Sequence, residues 1–291
     1  MIRFGYLPSG ALLNMEIEAL CALLHGIGYD GIELLPQLAL GDFIPQERVL
    51  RAARDNDLQI SEVVLQRDFV IPDEDEREAA VRYVEEALPR VADLGVSTVN
   101  LFTGPQPWLP YPVRVGVDVT ASKAWEWVFA AFDRLLPVAE KHRIRIAVEN
   151  VYGMMAHDIY TNLFLQNRYR SPFLGVNLDP SHDVLYGNTD MSFLVNTWGK
   201  DRIFHIHLKD AVGVPHNGKF IFPLLGEGEV NWQDFFDALN CIGYDGFASV
   251  EFESWHYISN LLDGSNIDCA ELSFRAIQKL IKKGRAFSDE V

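Results

Sequence analysis

Short apolar runs rich in β-branched residues alternate along the chain with longer stretches whose apolar positions recur every three or four residues. The first pattern predicts strands and the second amphipathic helices. IRFGYL (2–7) reads as a strand and NMEIEALCALLHGIG (14–28) as a helix closed by glycine. GIELLP (31–36) is the next strand, QERVLRAARDND (46–57) the next helix and QISEVVL (59–65) the third strand. A charged helix runs from near Pro72 to the DLG at 93–95, followed by the strand-like STVNLFTG (97–104). A proline-rich loop carrying Trp108 leads to the helix ASKAWEWVFAAFDRLLPVAEKH (121–142). RIRIAVEN (143–150), FLGVNLD (173–179), RIFHIHLKD (202–210) and GFASVEFE (246–253) complete eight strands. Helices fill most of the gaps, the last being CAELSFRAIQKLIKKG (269–284).

Repeated βα units imply parallel strands joined by right-handed crossovers. Eight of them in 291 residues predict a (β/α)8 TIM barrel, one domain spanning 1–291. A doubly wound open sheet is the alternative. It would carry a Gly-rich phosphate loop after its first strand, and GYLPSGALLN does not fit that pattern.

Composition narrows the partners. A formal net charge of −16 argues against a nucleic-acid partner. No apolar run is long enough to span a bilayer, and the N-terminus lacks a basic-then-apolar signal. Cys21, Cys241 and Cys269 lie far apart, which suits a reducing cytoplasm and offers neither a disulfide framework nor a thiolate metal site.

In such barrels the working residues stand at the C-terminal ends of the strands. Here the fifth strand ends with Glu149, the sixth with Asp179 and, just beyond, His182. The seventh carries His205, His207 and Lys209 on one face, with Phe204, Ile206 and Leu208 on the other. The eighth ends with Glu251 and Glu253. Any one of these alone reads as a helix cap, a surface charge or a satisfied polar residue. Together, four consecutive strands deliver acids and an imidazole to one end. Converging carboxylates repel unless a cation lies between them. A hard, mostly oxygen shell suits Mn²⁺ or Mg²⁺, with Co²⁺ and Zn²⁺ next.

The set E-N, D-x-x-H, H-x-H-x-K-D and V-E-F-E resembles the xylose isomerase-like family of sugar isomerases and epimerases, essentially along the whole chain. PLLGEGEVNW (223–232) resembles that family's P-x-G-x-G-x-x-x-W stretch after strand seven. The resemblance implies one divalent metal on Glu149, Asp179, His207 and Glu251. It implies Glu149 and Glu251 as the acid/base pair and His182 as a contact to a sugar oxygen. Of the two histidines the family pattern points to the second. His205, one pleat deeper, reads as a barrel-layer residue or a hydrogen-bond donor behind the metal site. Lys209 lies either near a bound ligand or in a salt bridge with a loop acid; Asp210, on the opposite face, reads as structural.

A metal of this kind chelates a hydroxyketone and stabilises the enediolate left by proton loss next to the carbonyl. The expected activity is therefore a metal-dependent isomerase or epimerase of a sugar or polyol. The alternative is a lyase or dehydratase of the same fold acting on a keto-sugar, inosose or keto-glycoside. The ketose 3-epimerases of the family carry an arginine where this chain has Gly213 and a glutamate where it has Met155, which weakens a free-ketohexose assignment. Trp108, Tyr152, Met154, Met155, Trp255 and Tyr257 are expected in loops on the working face. They serve either as walls for a larger glycoside or as packing within a loop or in a contact between copies of a homo-oligomer. An apurinic endonuclease shares the barrel, but it needs more histidines and a basic groove. A non-catalytic binding protein would more naturally lack one of the four ligands.

Overall fold

The structure, a computed structural model, describes residues 1–288. Ten strands are present: β1 (Arg3–Tyr6), β2 (Gly31–Leu34), β3 (Gln59–Val64), β4 (Thr98–Leu101), β5 (Arg145–Glu149), β6 (Leu174–Leu178), β7 (Ile203–Leu208), β8 (Val212–Val214), β9 (Lys219–Ile221) and β10 (Phe247–Val250). Eight close into a parallel barrel in the order β1-β10-β7-β6-β5-β4-β3-β2. The remaining two, β8 and β9, form an antiparallel hairpin directly after β7 that the sequence reading did not anticipate.

The helices are α1 (Ile17–Ile27), α2 (Pro36–Ala39), α3 (Gln46–Asp55), α4 (Glu74–Asp93), α5 (Ala121–His142), α6 (Ile159–Gln166), α7 (Pro180–Leu185), α8 (Met191–Arg202), α9 (Trp232–Cys241), α10 (Trp255–Asn260) and α11 (Asn266–Ser288). Their ends follow local chemistry. Asp73 accepts the N–H of Glu76 at the start of α4, whose first turn holds Glu74, Asp75 and Glu76 against the positive end of the helix dipole. Thr120 caps α5, and Lys141 and His142 occupy its last turn.

Every residue of β2, β4, β6, β7 and β10 is buried, as expected of strands covered by helices outside and packed side chains inside. Ser249 pairs with His207, and Asn177 with both Glu149 and His205, so β5, β6, β7 and β10 lift their last inward side chains to one mouth of the barrel. Gly5 is small for a reason: a Cβ there would collide with Ser249 Oγ, which reaches His205 on the neighbouring strand β7.

Asp210 anchors the segment after the hairpin. Its carboxylate accepts the backbone N–H groups of Gly226, Gly228 and Val230 and the indole N–H of Trp232, at 2.8–3.1 Å. A Cβ at Gly228 would strike that carboxylate. The glycines and tryptophan of PLLGEGEVNW are thus the shell of one buried acid.

Candidate metal centre

Glu149, Asp179, His207 and Glu251 converge at the C-terminal mouth, each offering an atom within 4.8 Å of all the others. The scaffold holds one oxygen of two of these acids and leaves the other aimed inward. Glu149 Oε2 accepts from Gln66 Nε2 (2.8 Å) and Asn100 Nδ2 (3.0 Å), while its Oε1 faces His207 Nδ1 at 3.0 Å. Asp179 Oδ1 accepts the N–H of Ser181 (2.9 Å), capping α7. Its Oδ2 is buried without a hydrogen-bond partner, 3.0 Å from the Lys209 ammonium and 3.4 Å from His182 Nε2. Asn150 ties the ends of β5 and β6 together, donating to the Asp179 carbonyl and accepting the Asp179 N–H.

His207 Nδ1 also lies 3.4 Å from Glu251 Oε2. Its other nitrogen, Nε2, is 3.2 Å from Glu33 Oε2. Burial opposes a charge on this ring, but Glu149, Glu33 and Glu251 outweigh it and hold its pKa well above the usual histidine value. Burial pushes Asp179 up to about 6 against the pull of Lys209. For Glu251 burial is overcome by Lys209 and His207, which keep the carboxyl well below its ordinary range. A carboxylate oxygen met by the Lys209 ammonium and by no hydrogen bond from the scaffold, an imidazole edge facing two carboxylates and a three-oxygen, one-nitrogen donor set fit a hard divalent cation.

His205 stands below this group. Its Nε2 is 2.7 Å from Glu33 Oε1 and 3.1 Å from Ser249 Oγ, and Glu62 Oε2 lies 3.9 Å from Nδ1. Burial raises Glu33, but His207 and His205 bring it down to about 2; burial raises Glu62, which keeps both oxygens unpartnered. Glu33 and Glu62 lie inside β2 and β3 rather than at their ends, so the strand-end pattern that marks β5 to β10 does not pick them out. Gln66 and Asn100 are amides outside the usual metal-ligand types and gave no signal.

The Lys209 ammonium bridges Asp179, Glu251 and Glu253, the last at 3.0 Å. His182 Nδ1 accepts the N–H of Tyr152 at 3.4 Å, so its Nε2 carries the proton and points at the acids without a partner. Burial, reinforced by Lys209, keeps this ring neutral. Trp108, Tyr152, Trp255 and Tyr257 line the cavity over the acids, Trp255 and Tyr257 from the short helix α10 rather than a loop. Met154 and Met155 do not: both are buried, Met154 beside Phe102 and Val151. At Gly213 the backbone has φ 106°, and a Cβ would collide with the Lys219 carbonyl, so the hairpin itself forbids an arginine at that position.

The family profile described as "Xylose isomerase-like TIM barrel" matches residues 21–275, and the chain belongs to that family. Among curated proteins it is 27% identical over 169 residues to the uncharacterized protein YfiH of Bacillus subtilis (strain 168). That match takes in 50% of this chain and 53% of YfiH, so the chain spans about half the length of this relative. Among solved structures, the IolI protein with a bound zinc atom superposes with a TM-score of 0.75 at 16% identity, over 97% of this chain and 99% of that one. The 3-keto-D-glucoside 4-epimerase YcjR of E. coli gives 0.75 at 15%, over 97% and 100%. A xylose isomerase-like TIM barrel/4-hydroxyphenylpyruvate dioxygenase fusion protein gives 0.72 at 18%, over 99% of this chain but 44% of the fusion. At these identities the likeness is one of fold. Among the described residues no helix is long and apolar enough to cross a membrane.

Proposed function

We propose that this protein is a divalent-metal-dependent isomerase or epimerase of a sugar or polyol, acting by proton removal from the carbon next to a carbonyl. The observation that carries this reading is the convergence of Glu149 and Glu251, from β5 and from just beyond β10, on one centre with a neutral imidazole and a lysine beside them. Glu149, Asp179, His207 and Glu251 would hold the divalent cation, Mn²⁺ or Mg²⁺ by donor hardness and Zn²⁺ or Co²⁺ by the imidazole, which would supply a Lewis acid to the carbonyl.

The side chains do the rest. Lys209 keeps Glu251 ionised, so its carboxylate is in the basic form at neutral pH. Glu149, pinned through Oε2 by Gln66 and Asn100, presents Oε1 from the other side of the cavity and can hand a proton to the opposite face of the same carbon. The unpartnered Nε2–H of His182 donates to a substrate oxygen and orients the sugar. The same fold carries the 3-keto-D-glucoside 4-epimerase YcjR, which supports this reading.

The test is incubation with keto-sugars in D₂O, with and without added Mn²⁺, followed by proton NMR. Metal-dependent exchange at the carbon next to the carbonyl, with a new stereoisomer or a shifted carbonyl, is the expected result. Net loss of water to a deoxy product would move the assignment to a dehydratase, and no exchange with any keto-sugar would overturn it.

A further inference from the structure

Two of the oxygens that face the centre are shared with a side chain outside the four converging groups. The Lys209 ammonium lies 3.0 Å from Asp179 Oδ2 and also meets Glu251 Oε2. Asp179 Oδ1 is taken by the Ser181 N–H, so Oδ2 is the oxygen left for a cation. Glu251 Oε2 is the oxygen that faces His207 Nδ1, at 3.4 Å. An ammonium and a divalent cation thus have claims on the same two atoms. Both are positive, and in a buried site their repulsion is weakly screened.

Lysine can yield such a place, because its four-carbon stem is flexible and its three donors rotate. A second berth lies beside the first. The ammonium is 3.0 Å from Glu253 Oε2 and 4.8 Å from the centre of the Phe222 ring. Glu253 is not one of the four converging groups. It lines the cavity together with Phe222, and its side chain is 33% exposed where that of Asp179 is fully buried. Lys209 therefore stands between two anionic places, one at the buried centre and one facing the cavity, where an aromatic face adds a further attraction for a cation.

Resting on the metal part of the proposed reading and not on the reaction, we propose that Lys209 is a resident counter-cation that a divalent ion displaces, and that Glu253 is the positioning residue that receives the displaced ammonium. Before loading, the ammonium offsets the repulsion among Asp179, Glu251 and Glu253. On loading, it gives up Asp179 Oδ2 and withdraws to Glu253 and the face of Phe222. Glu251 faces a positive charge in both states, so its carboxylate stays ionised throughout.

Metal affinity tests this without reference to turnover. Mn²⁺ is titrated calorimetrically into chelator-treated wild type, Glu253→Gln, Lys209→Met and the double variant. Glu253→Gln is expected to bind Mn²⁺ about fivefold or more weakly than wild type, because the ammonium loses its second berth. Lys209→Met is expected to bind it about tenfold or more tightly, because the competing charge is gone. In the Lys209→Met background, Glu253→Gln is expected to change the affinity by less than about twofold. An equal loss from Glu253→Gln in both backgrounds would show that its charge acts on the ion directly and would overturn the inference, as would an unchanged affinity in Lys209→Met. Chelator-treated Lys209→Met is also expected to melt below wild type and to recover in saturating Mn²⁺; a deficit that persists at saturation would make the lysine merely structural and overturn its role as a counter-cation. Should Lys209→Met not fold, Glu253→Gln and Glu253→Asp carry the test. The aspartate is expected to restore most of the affinity that the amide loses, and a glutamine variant equal to wild type would overturn the inference. A wild type that binds no Mn²⁺ would instead remove the metal reading itself, and this inference with it.

Discussion

Glu33 grips the far edge of His207. Its Oε2 lies 3.2 Å from Nε2, while Nδ1 of the same ring faces Glu149 and Glu251. A carboxylate on one imidazole nitrogen fixes the tautomer and raises the basicity of the other. Glu33→Gln is therefore expected to lower metal affinity about 10–100-fold, the range typical of such supporting contacts. Titration of Mn²⁺ into the variant measures it. An unchanged dissociation constant would show that His207 is held by the barrel alone.

His205 shares Glu33 but touches none of Glu149, Asp179 and Glu251 among its hydrogen-bond and ion-pair partners. His207→Ala is expected to abolish metal binding. His205→Ala is expected to weaken it less and to lower thermal stability, because it leaves Glu33 Oε1 and the Ser249 hydroxyl without their buried partner. Equal loss of metal in the two variants would contradict the difference in level between the rings.

How much of this was legible in the sequence depends on which signal each element carried. The eight barrel strands announced themselves because parallel strands buried on both faces read as short apolar runs, and their order along the chain fixed which end the acids share. The hairpin did not. Its strands are three residues each with none buried, and the intervening PHNG reads as ordinary loop. Yet Phe220 and Phe222, two residues apart, become one wall of the cavity through it. Gln66 and Asn100 were beyond sequence reasoning for another reason: their role depends on the closure of β3 and β4 against β5, a contact that exists only in the folded barrel.

Asp210 gives a stability prediction free of any assumption about the metal. Asp210→Ala strands the N–H groups of Gly226, Gly228 and Val230 and the Trp232 indole in a buried pocket. Each orphaned donor costs roughly 1–3 kcal/mol before relaxation, so a net loss of about 3–5 kcal/mol is expected. Asp210→Asn, which retains one acceptor oxygen, should fall between the two. Denaturant unfolding of the three proteins checks the order, and a loss below about 1 kcal/mol in the alanine variant would refute the anchoring role.

Metal binding should release protons. The metal-free ring of His207 is protonated well above the usual histidine pKa by Glu149, Glu33 and Glu251, against the opposing effect of burial, and the metal needs its lone pair. Affinity is thus expected to rise with pH by about tenfold per unit per proton displaced. The slope should steepen below about pH 6, where Asp179 also carries a proton. Stability has the matching sign. The contribution of a raised histidine is complete below its unfolded pKa and disappears as pH rises through the folded one. The gap in melting temperature between metal-loaded and metal-free protein should therefore widen as pH increases. A pH-independent affinity between pH 5 and 8 would rule out a protonated His207.

The last prediction separates holding a metal from moving a proton. Glu149 and Glu251 reach the centre from β5 and from just beyond β10, so under the proposed chemistry a sugar carbon bound between them would present a different face to each. If both exchange protons with that carbon, Glu149→Gln and Glu251→Gln should each lower the rate about 10²–10⁴-fold, the usual worth of general acid–base catalysis. Glu251→Gln should do so while reducing metal affinity far less, since its amide oxygen can still face the centre. The two losses should also differ in kind. One variant should still exchange the substrate hydrogen of one epimer with solvent, and the other variant that of the opposite epimer, because each retains the group serving one face. Glu149→Gln carries an additional expectation: Gln66 and Asn100 donate to the amide oxygen at the Oε2 position, which turns the amide NH2 toward the metal-facing side, so this variant should lose metal affinity as well as rate. Activity that returns to wild-type levels in excess Mn²⁺ would reduce the residue concerned to a metal ligand.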